Sequence, residues 1–215
     1  MRCIMLRTWL VIMALLGSHS TLAADHDRLA AIQQRWAEIQ YRMPEEKRAD
    51  AFEQLAERTR AWTSSAPGEA PAWIWQGIVL SSWAGAEGGL SALGKAKEAR
   101  GDFEKAIAIN PFALKGSAYT SLAVLYDRVP GWPIGFGDSD KAEKLLEHAL
   151  NINPGGVDTL YFWADHLYRE GEYARARTAL LKAQKAAPRA GRELADQGRQ
   201  QEIATLLSQV EAHLN

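Results

Sequence analysis

Apolar residues return every three or four positions along most of this 215-residue chain, the spacing that places them on one face of an α-helix. The clearest stretch is Val157–Pro188, VDTLYFWADHLYREGEYARARTALLKAQKAAP. Leu160, Trp163, Ala164 and Leu167 share a face of one predicted helix, and Tyr173, Ala176, Leu180 and Ala183 share a face of a second. Gly171 breaks the chain between them, because glycine adopts backbone conformations at helix ends that other residues disfavour. Pro188 cannot continue a helix and ends the unit. Ala164 and Ala176 fall where the two helices would cross, and a small side chain there lets the axes approach to about 8–10 Å.

The same pattern recurs upstream. Tyr119, Leu122, Ala123 and Tyr126 predict one helix and Ala142, Leu146 and Ala149 its partner, closed by Pro154. Pro154 and Pro188 are 34 residues apart. Before this unit, Trp73, Gln76, Gly77 and Leu80 pair with Ala99, Phe103 and Ala106, closed by Pro111. Both upstream units are longer than the last. Ala164 and Ala176 are 12 residues apart, Ala123 and Ala142 19, and Gly77 and Ala99 22. The seven extra residues of the middle unit fall in the turn between its helices, Val129–Asp138. The ten or so of the first include Trp83 and the glycine-rich run Gly85–Gly94.

This repetition resembles the tetratricopeptide repeat (TPR), whose period is 34 residues. The expected fold is therefore all-α, a TPR-type helical-hairpin solenoid with two elongated repeats. A degenerate N-terminal helical pair is expected over residues 24–66, carried by Leu29, Ile32, Trp36 and Ile39 and then by Phe52, Leu55 and Trp62. Three TPR-like repeats occupy 67–188. C-terminal capping helices occupy 189–215, with Ile203, Leu206, Leu207 and Val210 facing inward, because an array must cover its last apolar face.

Residues 1–23 stand apart. Arg2 and Arg7 precede the apolar run Trp9–Leu16, and Thr21-Leu22-Ala23 offers small residues for cleavage, the layout of a secretory signal peptide. The run is much shorter than the roughly 20 residues of a membrane span, although an uncleaved N-terminal anchor is the other reading of this pattern. Export to the periplasm is expected, with the mature chain starting at Ala24 or Asp25. The formal charge then moves from −1 to −3, since two arginines leave and no acid does. A mildly acidic chain carries no electrostatic footprint for nucleic acid. Cys3, the single cysteine, leaves with the leader, so no disulfide, thiolate metal site or cysteine nucleophile is expected.

Little else points to chemistry. Gly89–Lys95 resembles a phosphate-binding loop but has Ala96 where Ser or Thr should hold magnesium, and no apolar strand precedes it. His26, His148, His166 and His213 form no i, i+4 pair, and no metal is expected. Asp138, Asp140, Glu143 and Glu147 read as the cap and first turns of a helix. No nucleophile or second acid completes a catalytic set. No enzyme activity and no cofactor are expected.

TPR arrays bind along the face made by their first helices. Ile74 and Ile78, then Thr120, Val124, Asp127 and Arg128, then Tyr161, Asp165, Tyr168 and Arg169 fall on that face here, about half of them expected to be exposed. The mixture suits a protein or peptide partner, or a small organic ligand. The Val129–Asp138 loop, with Trp132, Ile134 and Phe136, has two readings: a brace filling the neighbouring repeat, or a lip over the groove. Trp132 is expected to be the buried anchor and Phe136 to lie nearer the groove.

Within TPR proteins, the run GDFEKAIAINP (101–111) and the loop VPGWPIGFGD (129–138) resemble the periplasmic T component of TRAP-type transporters. That resemblance implies an oligomer that passes small hydrophobic ligands to a binding protein. This chain lacks the lipid-acceptor cysteine at the end of the leader. The principal expectation is a non-catalytic periplasmic scaffold. A carrier of a small hydrophobic ligand, with an enclosed tunnel near Trp83, Trp132 and Phe136, is the alternative.

Overall fold

The structure is a computed structural model and describes residues 26–214. The expected leader, with Cys3, lies outside those residues. The described residues form nine α-helices and no strand. They are α1 (26–42), α2 (Glu45–Ser65), α3 (Ala70–Glu87), α4 (Gly89–Ile109), α5 (Ser117–Arg128), α6 (Ser139–Ile152), α7 (Val157–Arg169), α8 (Tyr173–Gln184) and α9 (Glu193–Ala212). A single 3-10 turn, Ala113–Gly116, leads into α5.

Local chemistry sets several boundaries. Pro44 precedes α2, and Glu45 and Glu46 occupy its first turn, where their charge complements the helix dipole. The Asp138 carboxylate accepts from Lys141 N at 3.0 Å and caps α6, satisfying one of the donors a helix start leaves free. Gly171 turns the chain between α7 and α8 at φ 78°.

The first elongated repeat departs from expectation. Its additional residues do not form a glycine-rich connection. α3 runs on to Glu87 and α4 restarts at Gly89, with only Gly88 between, at φ 67° and ψ −171°. That conformation is essentially restricted to glycine. The flanking residues are mostly helix formers, and Lys95 staples the turn by pairing with Glu87 and lying 4.3 Å from the centre of the Trp83 ring. The run resembling a phosphate loop is thus helix. In the second elongated repeat the extra residues do lie in the connection, between Arg128 and Ser139.

α3, α5, α7 and α9 form a row in which each packs on the next, whereas the second helices α4, α6 and α8 have no comparable contact with one another. The first helices therefore line the inside of the curve. α9 takes the next place in that row, as one helix where capping helices were expected, and buries Ile203, Leu206 and Val210. Among the described residues most buried apolar side chains group into two clusters. One extends from Ile32 to Ala142 and the other from Val157 to Val210, with Leu150 of α6 reaching the second.

A polar chain crosses the first cluster. Thr63 Oγ1 donates to Gln76 Oε1 at 2.6 Å, and Gln76 Nε2 donates to Asp102 Oδ1 at 3.2 Å. Asp102 Oδ2 is buried without a partner. Burial raises the Asp102 carboxyl to about 7, against the opposing hydrogen bond from Gln76.

Both the crossings and the polar chain have measurable effects. Ala164 is fully buried at its crossing, so Ala164→Leu should cost about 1–3 kcal/mol in a denaturant melt by overpacking; an unaltered midpoint would refute the crossing. The folded value of Asp102 lies above the unfolded carboxylate value of about 3.9. The native state therefore holds this proton more tightly, and stability should fall as pH rises from about 4 to about 7. Asp102→Asn should flatten that fall and leave the protein more stable than wild type at about pH 8, as read from thermal melts across the range.

Candidate partner-binding groove

The inner row of first helices carries the residues expected to bind, and most are already engaged. Ile74 is wholly buried in the first cluster. Thr120 is buried on α5 with its hydroxyl 3.0 Å from that of Thr159 on α7. Asp127 is turned toward α7, with Oδ1 3.1 Å from His166 Nδ1. Arg169 donates to the Asp127 carbonyl at 3.2 Å. Arg128 donates to Asp165 at 2.5 Å. Of the ten, Arg128 and Arg169 reach solvent with their side chains, and Ile78, Val124, Asp127, Tyr161, Asp165 and Tyr168 are half-buried. Fewer are open than helical spacing predicts, because adjoining first helices pair their polar groups with one another.

His166 is the centre of this seam. It is 2% exposed, stacked on Trp163 at 5.8 Å between ring centres. Its hydrogen bond to Asp127 holds its pKa above the usual imidazole value, against the opposing effect of burial. No pattern in the sequence announces this carboxylate partner, which comes from the preceding repeat. His148 points elsewhere, packing on Tyr119 at 4.3 Å. No group of three or more metal-ligating side chains occurs among the described residues.

α9 covers much of the rest. The Arg199 guanidinium lies 4.3 Å from the Tyr161 ring centre and 4.6 Å from that of Phe162. It donates to Asp158 at 2.9 Å and to Glu202 at 2.5 Å. Arg189 donates to the other Asp158 oxygen at 2.6 Å. Burial would raise the Asp158 carboxyl, but the two guanidiniums outweigh it and hold the group at about 2. At the far end of α9, His213 stacks on Tyr173 at 4.2 Å and meets Tyr168.

The two ends of the array meet across the groove. Gly198 of α9 lies against Tyr41 of α1 so closely that a Cβ at 198 would overlap the tyrosine ring. Tyr41 Oη donates to Glu202 at 3.4 Å. Arg192 lies 5.3 Å from the centre of the Trp75 ring, which is edge-on to Trp36. Sequence reasoning missed this junction. Its one local trace is a glycine in mid-helix, a position that normally costs about 1 kcal/mol relative to alanine.

The Trp132 loop sits at the edge of the α5–α6 hairpin and reverses the expected roles. Trp132 is 90% exposed and Ile134 65% exposed. Phe136 is the anchor: it is half-buried, edge-on to Tyr126 at 5.5 Å, with the Arg100 guanidinium 4.6 Å from its ring centre. The backbone explains the exchange. Gly137 N donates to Pro130 O and Asp138 N to Tyr126 O, which draws Phe136 back to the hairpin and leaves Trp132 at the apex. A cavity of about 300 Å³ lies between α1 and α2, among Ile32, Leu55 and Trp62, not beside Trp83, Trp132 or Phe136.

Phe136→Ala should therefore destabilise the fold by up to about 3 kcal/mol. Trp132→Ala should stay within about 0.5 kcal/mol of wild type. Denaturant melts of the two variants check this, and equal losses would overturn the assignment of the anchor.

A tetratricopeptide-repeat family model matches residues 134–210, from the apical loop through most of α9. The chain has no match among curated proteins. Of the solved structures similar to it, a thermophilic TPR protein in Thermus thermophilus covers 93% of this chain and 95% of its own length, at 16% identity and a TM-score of 0.56. MamA covers 78% of this chain and 91% of its own length, at 15% identity and a TM-score of 0.45. The structure of this chain is an all-α TPR solenoid.

Proposed function

We propose that this chain is a non-catalytic scaffold, exported to the periplasm, that holds a protein or peptide partner at the inner face and apical loop of its TPR array. The observation that carries the reading is the exposed Trp132–Ile134 tip. Exposed aromatic surface held on a hydrogen-bonded loop is characteristic of partner recognition, and Trp is enriched among residues that dominate binding energy. On the inner face, Arg128 and Arg169 keep exposed side chains while paired with Asp165, Val124 and Ile78 are half-buried, and Ile74 and Thr120 serve packing.

Affinity capture with the mature protein, followed by mass spectrometry, tests the reading. A partner should be recovered in near-stoichiometric yield. Trp132→Ala should weaken its binding by about tenfold or more, equivalent to about 1.4 kcal/mol, without loss of fold. Capture indifferent to Trp132, or no partner at all, would overturn the reading. The cavity between α1 and α2 is open and lined in part by Arg28 and Arg58, so it does not favour the ligand-carrying role of the TRAP-type T component. Recovery of a small hydrophobic molecule without a protein would favour that role.

A further inference from the structure

The groove is closed on both sides by contacts that are largely polar. On one side, α5 meets α7 through Thr120–Thr159, Asp127–His166 and Arg128–Asp165, and α6 packs on α7 beside them, with Leu150 reaching the second cluster. On the other side, α1 and α3 meet α9 and the turn before it through Tyr41 on Gly198, Tyr41 to Glu202, and Arg192 over Trp75. This second junction leaves buried donors unsatisfied: Trp75 Nε1 and Arg192 Nε have no acceptor. Burying such donors without a partner is unfavourable. The cluster that contains α7–α9 is attached by the short connection Asn153–Gly156.

We propose that the α1–α9 junction is a latch, and that the α7–α9 body swings about residues 153–156 to open the groove. The latch thereby regulates the partner-binding face, and this purpose rests on the scaffold reading given above. Here a glycine provides the seat for a single tyrosine, and the remaining contacts are the Tyr41–Glu202 hydrogen bond and Arg192 over Trp75. Burial followed by repulsion from Arg189 lowers the Arg192 pKa, so the closed state is not the most favourable environment for that guanidinium.

The test uses variants that lock or wedge the latch. A Cβ at 198 would overlap Cγ of Tyr41, which brings the β-carbons of the two positions within disulfide reach. Tyr41→Cys with Gly198→Cys, in a Cys3→Ser background, should lock the groove when oxidised and release it when reduced. Gly198→Leu should hold it open, and Tyr41→Ala should do so without a clash. X-ray scattering should show wild type expanding as salt rises from about 0.1 M to about 1 M, where the screening length falls from about 10 Å to about 3 Å. The oxidised variant should stay compact. Amide exchange in residues 36–42 should be about tenfold faster in Gly198→Leu than in the oxidised form, with helicity retained. Equal dimensions for the wild-type and oxidised proteins at every salt concentration would overturn the latch. So would loss of helicity in both Gly198→Leu and Tyr41→Ala, because the junction would then be integral to folding. None of these readouts needs a partner, so a rigid result leaves the scaffold reading standing, and a failed capture leaves the latch standing.

Discussion

Two helices can share a core only as closely as the residue between them allows, and in this chain that residue is small at every repeat hairpin. Ala99, Ala123, Ala142, Ala164 and Ala176 are fully buried, and a side chain at Gly77 would run into the Phe103 ring. Close pairing leaves the larger residues to project sideways, where each hairpin buries them against the next. The row of first helices, the position of α9 and the groove itself all depend on that spacing. The 19- and 22-residue separations lengthen two hairpins without disturbing their crossings, because the added residues lie beyond the small-residue contact.

Charge orients what the crossings pack. Asp158, at the start of α7, accepts from Arg189 and Arg199 and so ties both the α8–α9 connection and α9 to one carboxylate. A half-buried carboxylate held by two guanidiniums tolerates little rotation, since Arg199, the buried member, would carry a desolvation cost if left unpaired. The aromatic faces of Tyr161 and Phe162 complete the enclosure of Arg199. α9 is thereby fixed in angle as well as position, and Gly198 arrives opposite Tyr41.

The hairpins are legible in the sequence because their cause is periodic and local. Leu160, Ala164 and Leu167, or Ala142, Leu146 and Ala149, announce a buried face within a few turns of helix. The glycine-rich run of the first elongated repeat misleads because Gly85 and Gly94 look like loop punctuation, while the helix is sustained by neighbouring helix formers and by the Lys95 contacts with Glu87 and Trp83. The Trp132 loop misleads in a different way, because aromatic character says nothing of which ring the returning backbone will carry inward. The engagement of Asp127 with His166, and of Tyr161 with Arg199, joins different repeats, and no spacing along one helix encodes it.

The Tyr41–Glu202 contact joins residues 161 positions apart, whereas the helices otherwise pack mainly on near neighbours in the chain. Hairpins whose contacts are local can form independently and early, but this one must wait for the whole array, since loop-closure entropy is met before the contact repays it. During synthesis the N-terminal pair emerges first and stands without its counterpart until α9 is complete. Until α9 is in place, Tyr41 lacks the glycine that seats it and the Trp75 ring lacks Arg192. The closing of the ring thus also marks the point at which the chain has finished assembling itself.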